Sequence, residues 1–114
     1  MEDCIFCRIV EGKTAAEVVY SDDTVVAFRD INPVAPVHVL VVPRRHIPSV
    51  MELTPEDAPM LAAVLAACKR VAEKEGLADR GMRILTNVGE EAGQIVMHLH
   101  FHLVGGREMG WPPG

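Results

Sequence analysis

The 114 residues carry 11 Lys and Arg against 16 Asp and Glu, a formal charge of −5 with histidine neutral. Hydrophobic residues make up 49% and charged residues 24%, the composition of one soluble globular domain over residues 1–114 with no room for a second core. The acidic balance argues against nonspecific binding of a nucleic-acid polymer, which needs many cations on the phosphate backbone, and leaves open a single nucleotide held by directed donors.

The chain begins Met1-Glu2-Asp3-Cys4, acidic where a secretory signal is basic. Its longest apolar stretch, Pro33 to Pro43, falls short of a membrane span and contains His38. These features predict a cytoplasmic protein with no membrane partner. In a reducing compartment the close pair Cys4-x-x-Cys7 suggests metal or redox chemistry rather than a structural disulfide.

From Cys4 to Glu11, Ile5, Phe6 and Ile9 fall at helical spacing and Gly12 ends the run, which predicts a short helix. Glu17 to Tyr20 and Thr24 to Asp30 are β-branched-rich and joined by Ser21-Asp22-Asp23, a hairpin signal. Val37 to Val42, bounded by Pro36 and Pro43, is apolar on both faces and reads as a central strand.

Residues 54–75 read as one long helix. Thr54 suits the N-cap, Pro55 the first helical position, and Asp57 can close a capping box. Met60, Leu61, Val64, Leu65, Cys68, Val71 and Ala72 draw one apolar stripe, and Gly76 stands where a left-handed C-cap belongs. Pro59 conflicts with this pattern and should distort the first turn. Cys68, on the stripe, reads as a small core residue.

Met82 to Val88 and His98 to Val104 read as strands around a Gly-containing loop, and the Gly/Pro-rich tail 105–114 has no regular pattern. The expected fold is α+β: an antiparallel sheet of about five strands with one long and one short helix.

The chemistry concentrates in His98-Leu99-His100-Phe101-His102. A strand's period of two puts His98, His100 and His102 on one face and turns Leu99, Phe101 and Leu103 toward the long helix. Three such imidazoles can bind a metal directly, as in a three-His zinc site. Alternatively, they can divide nucleophile, acid and base roles among rings with different pKa values. The preceding loop, Asn87 to Gln94, has an amide at each end and two glycines whose backbone can approach an anion closely, which favours a phosphoryl ligand. Glu90 and Glu91 would repel that anion and should face solvent.

His98-Leu99-His100-Phe101-His102-Leu103-Val104 resembles the His-φ-His-φ-His-φ-φ motif of the histidine triad nucleotide-binding superfamily. The likeness extends through Phe28 to Pro33, Ala35 to Pro43, Gly93-Gln94 and the Gly105 to Gly114 tail, and these resemble the Hint branch in particular. The resemblance implies a nucleotidyl hydrolase or transferase acting at the α-phosphate of purine nucleotide derivatives, of the adenosine phosphoramidate type, through a covalent nucleotidyl-histidine. Dinucleoside polyphosphates are an alternative substrate class, and a nucleotide-binding scaffold without useful turnover is an alternative role.

In that resemblance His100 corresponds to the nucleophile, His102 to the phosphate contact and carrier of the leaving-group proton, and His38 to a supporting fourth histidine. Asp30 matches the ribose-binding carboxylate. Ile5, Phe6, Ile9, Phe28 and Ile31 fit the base pocket, and Asn87, Gly93 and Gln94 fit the phosphate loop. Ile95 departs from the hydroxyl residue usual after the Gly-Gln pair, which removes one side-chain donor. Related proteins hold structural zinc with a Cys-x-x-Cys pair and two histidines. Here that ligand set would be Cys4, Cys7, His46 and His98, a closed four-ligand site. The resemblance also implies a homodimer, with the tail near the partner's active site.

Overall fold

The computed structural model describes residues 3–114 and has the expected α+β architecture. The elements run α1 (Ile5–Val10), β1 (Val18–Ser21), β2 (Val25–Arg29), β3 (Val37–Pro43), α2 (Ala58–Lys74), β4 (Met82–Leu85) and β5 (Phe101–Gly105), with two single 3₁₀ turns before α2. The five strands form one antiparallel sheet in the order β1-β2-β3-β5-β4, which puts β3 at the centre. Its continuous apolar run is thereby explained: both faces are covered. Among the described residues no helix is long and apolar enough to cross a membrane.

Alternation along the strands separates two cores. Val25, Ala27, Val39, Val41 and Leu103 pack on one face against Val64, Ala67, Cys68, Val71 and Ala72 of α2. Val26, Phe28, Leu40 and Val42 point the other way and meet Phe6, Ile5, Ile9 and Val10 of α1. Cys68 is fully buried in the first core, as its place on the stripe requires. Leu99 packs with Ile47 and Met60, so the Leu side of the histidine run does face α2.

The long helix begins later than its apolar pattern suggests. Pro55–Asp57 forms a 3₁₀ turn, and α2 proper starts at Ala58. Pro59 thus becomes the second residue of the α-helix, where a missing N–H costs nothing because no acceptor exists there anyway. The capping box does form, with the Thr54 N–H donating to Asp57 Oδ2 at 2.9 Å. At the other end Gly76 adopts φ +75°, and the Leu77 N–H reaches back to the Ala72 carbonyl at 2.8 Å. That contact is a Schellman closure with Leu77 as its buried plug.

Two strands are shorter than their sequence pattern. β4 stops at Leu85 rather than Val88, and β5 starts at Phe101 rather than His98. The cause lies in the partner strand: β3 ends at Pro43, which has no N–H to continue a ladder. Residues 98–100 bond elsewhere instead. The Leu99 N–H donates to the Ile47 carbonyl, and Thr86 Oγ1 donates to the His100 carbonyl at 2.8 Å.

Candidate active site and metal cluster

A cleft of about 530 Å³ opens on the α1 face of the sheet. Ile5, Phe6 and Ile9 of α1, Phe28 of β2, and Asp30 and Ile31 just beyond it form one part of the lining. His38 and Leu40 of β3 form the floor, and Asn87, Gly93, Ile95 and Val96 come from the loop before the triad. His100 and His102 close it. Thr14, Ala15 and Ala16, which the sequence reading did not single out, also line it. Their small side chains after Gly12 leave the space open.

Asp30 is placed by the hairpin. Its N–H donates to the His38 carbonyl at 3.0 Å, and its Oδ1 accepts the Asn32 N–H at 2.8 Å, an Asx turn that turns the chain after β2. Arg29 fastens the same strand end, with a bidentate pair to Glu75 at 2.8 and 3.0 Å and an Nε–H bond to Glu17 at 2.8 Å.

Backbone groups fix the proton positions on the histidines. The His100 Nδ1 lies 2.7 Å from the His98 carbonyl, which can only accept, so Nδ1 carries the hydrogen and Nε2 keeps its lone pair. The Val34 N–H, which can only donate, reaches His38 Nδ1 at 3.1 Å, so the neutral His38 carries its hydrogen on Nε2. That Nε2 is 2.9 Å from His102 Nδ1 and 3.4 Å from Asp30 Oδ2. His102 therefore accepts at Nδ1 and bears its hydrogen on Nε2, a buried atom with no protein partner. The sequence offered no signal for Val34 in this role, because a backbone N–H looks the same at every position.

Burial, then the neighbouring imidazoles of His100 and His38, depress the His102 pKa to about 4, with Asp30 opposing. Burial also lowers that of His38, again opposed by Asp30. Both rings are neutral at pH 7, consistent with the single proton their short contact accommodates.

Gln94 does not line the cleft. Its amide nitrogen donates to the carbonyls of Pro48 at 2.8 Å and Val96 at 3.1 Å, and its oxygen accepts the Gly89 N–H at 3.0 Å. Buried and fully engaged, it braces the loop rather than offering donors to a ligand. Glu90 and Glu91 are exposed, as expected.

On the far side of the triad, Cys4, Cys7, His46 and His98 each direct one donor atom into a common space, all within 4.8 Å of one another. His98 Nδ1 lies 3.4 Å from Cys4 Sγ and 3.5 Å from Cys7 Sγ, and His46 Nδ1 lies 3.2 Å from Cys7 Sγ. These are close to the edge of about 3.6 Å expected of a tetrahedron with ordinary metal–sulfur and metal–nitrogen bonds. The His98 Nε2–H donates to the Pro43 carbonyl at 2.8 Å, which leaves the Nδ1 lone pair facing the thiols. Burial, and then the adjacent Cys4, raise the Cys7 pKa, a cost that a bound cation reverses.

Asp30, His38 and His102 form a second such group by proximity. It does not suit a metal, because the Val34 N–H already occupies the His38 Nδ1 lone pair and keeps the hydrogen on Nε2. The first group is the candidate metal cluster and the second is a chain of hydrogen-bonded side chains.

The fold and the three-histidine run identify the chain as a histidine triad protein, and the HIT domain family model matches residues 11–109. The chain belongs to the HIT domain family. It is 46% identical over 113 residues to an uncharacterised HIT-like protein of Synechocystis sp., covering 99% of this chain and 98% of that one. It is also 40% identical over 109 residues to the purine nucleoside phosphoramidase of Escherichia coli K12, covering 96% and 92%. The crystal structure of a HIT family hydrolase from Legionella pneumophila superposes with a TM-score of 0.96 at 45% identity, covering 98% of this chain and all of that one.

Proposed function

We propose that the protein hydrolyses purine nucleoside phosphoramidates through a nucleotide covalently held on His100. The observation that carries this reading is the proton arrangement: a lone pair on His100 Nε2 and an unpartnered N–H on His102 Nε2, on rings whose centroids are 5.1 Å apart, in a cleft that also holds Asp30. Likeness to a purine nucleoside phosphoramidase supports the choice of substrate.

In the first step His100 Nε2 attacks the α-phosphorus, forming an N–P bond as the bond to the leaving amine breaks. His102 Nε2–H hydrogen-bonds the phosphoryl group and is the nearest donor for the departing amine, which leaves protonated. In the second step water attacks the phosphorus, the His100 N–P bond breaks, AMP leaves, and the water's proton returns to His102 Nε2, replacing the one given to the amine. His100 returns as a neutral imidazole because its Nδ1–H has stayed on the His98 carbonyl throughout.

Asp30 binds the ribose hydroxyls and the apolar set Ile5, Phe6, Ile9, Phe28 and Ile31 takes the base. The Asn87 to Gly93 loop surrounds the phosphate, held in shape by Gln94. Zinc is the metal of the Cys4–Cys7–His46–His98 cluster: two thiolates and two imidazoles suit it, and four protein ligands leave no position open to substrate. The ion's part is structural, and no chemical step passes through it. The working unit is a homodimer.

The test is to quench a reaction with adenosine 5′-phosphoramidate and map the adduct. An AMP mass increment on His100 is expected, and a His100→Asn variant should lose at least about 10³-fold in rate. A variant at near-normal rate would overturn the mechanism.

A further inference from the structure

Helix α1 serves two sites at once. Cys4 at its N-cap and Cys7 in its first turn belong to the metal cluster, while Ile5, Phe6 and Ile9 wall the cleft. Phe6 joins the two. Its ring stands edge-on to His100 at 5.0 Å, to Phe28 at 5.4 Å and to His98 at 6.0 Å, so it touches the nucleophile, the base pocket and a metal ligand together.

The helix depends on side-chain contacts for its place. At six residues it is too short to persist alone. Among the described residues, the backbone hydrogen bonds of α1 and its flanks stay within residues 4–14, so no ladder ties it to the sheet. Apolar contacts with Val26, Phe28, Leu40 and Val42 and the Cys–His contacts set its position.

We propose that Cys4 and Cys7 are positioning residues for the nucleotide cleft: a metal ion on their cluster fixes α1, and through Phe6 the base-binding wall, so that metal and nucleotide bind cooperatively. The proposal rests on the nucleotide-binding reading of the cleft. Binding free energies are linked, so the factor by which metal tightens nucleotide binding equals the factor by which nucleotide tightens metal binding. A metal that only held the fold together would raise thermal stability and leave the AMP affinity of the folded chain unchanged.

The test uses AMP and zinc on the full chain. AMP is titrated calorimetrically into zinc-loaded and chelator-stripped protein, with circular dichroism reporting the fold of each. Stripping should raise the Kd for AMP at least about fivefold. A second arm starts from the zinc-loaded protein and withdraws zinc with a chromophoric chelator. Saturating AMP should raise the chelator concentration needed for half-release by the same factor. In a Phe6→Leu variant, which keeps all four ligands, that protection should largely vanish even at saturating AMP.

Equal AMP affinity in the two folded forms, or zinc release indifferent to AMP, would overturn the coupling. If stripping unfolds the chain, the chelator arm decides, and undiminished protection in Phe6→Leu would overturn the route through α1. AMP binding without coupling sinks this proposal alone, whereas no AMP binding by the zinc-loaded protein sinks the nucleotide reading and the coupling with it.

Discussion

His38 Nε2 and His102 Nδ1 lie 2.9 Å apart with one hydrogen between them, and the direction of that bond is set four residues before His38 by the Val34 N–H. A second proton on the pair would place two hydrogens in one contact. The pair is therefore neutral, and in the proposed reaction His102 offers its Nε2–H as a donor rather than acting as a standing cation.

The pH dependence follows from that neutrality. His102 titrates near 4 rather than at the usual 6.5, chiefly because it is buried. Between these values the unfolded chain binds more protons than the folded one, so stability rises with pH across this window and is lost as pH falls through it. Activity should stay level through neutral pH and drop toward pH 4 as His102 charges. A His38→Ala variant, which frees His102 Nδ1, should shift the acid limb of the kcat profile and lower kcat about tenfold or more with His100 still able to form its adduct. An unchanged profile would show that the His38–His102 bond plays no part in turnover.

The metal assignment is testable without activity. Protein purified in the absence of chelators and added metal should contain about one zinc per chain by elemental analysis. Cys4→Ser with Cys7→Ser should remove it and lower Tm by roughly 10 °C. Replacing zinc by cobalt should give the visible bands of a tetrahedral site with thiolate ligands, and an octahedral spectrum would contradict the ligand set.

Much of this site was legible because side-chain type and period carried it. Alternation in 98–104 placed the three imidazoles on the α1 face of the sheet, His100 and His102 in the cleft and His98 in the Cys–His cluster, and Leu99 and Leu103 toward α2, even though the ladder itself begins only at Phe101. The shortfall came from Pro43 on a partner strand 55 residues away from His98, whose effect no local pattern expresses. Gln94 looked like a ligand donor because a Gly-Gln pair before a histidine run offers free amides. The structure instead uses that amide on Pro48 and Val96, carbonyls brought near by tertiary folding. Pro59 shows the reverse: a local conflict visible in sequence, resolved by a 3₁₀ turn that moves the helix start to Ala58.

Asp30 gives a sugar-selectivity prediction. With Oδ1 already on the Asn32 N–H and Oδ2 facing His38, the carboxylate is rigid and poised at the cleft wall. Deoxyadenosine monophosphate should bind about tenfold more weakly than AMP, the cost of leaving a partly buried carboxylate without its hydroxyl donors. Asp30→Ala should shrink the difference by weakening AMP. Equal affinities for the two sugars in the unaltered protein would remove Asp30 from the ribose site.

The C-terminal tail gives the last prediction. Trp111 is 83% exposed, its ring near the Arg83 guanidinium at 5.9 Å. β4, at the sheet edge, exposes Ile84 and Leu85 close by in the chain's topology. An indole held in place yet uncovered is costly in water, and an unpaired strand edge with apolar side chains adds to that cost. A second copy of the chain covering both accounts for the pair of observations. Light scattering should therefore report a dimer, and Trp111 fluorescence should shift to longer wavelength on dilution to monomer. Deletion after Gly106 should change the relative rates of phosphoramidates with different amines by about fivefold or more while AMP affinity stays within about twofold. A monomer at working concentration, or a truncated protein with the same substrate ranking, would exclude the tail from substrate choice and leave the assignment of His100 untouched.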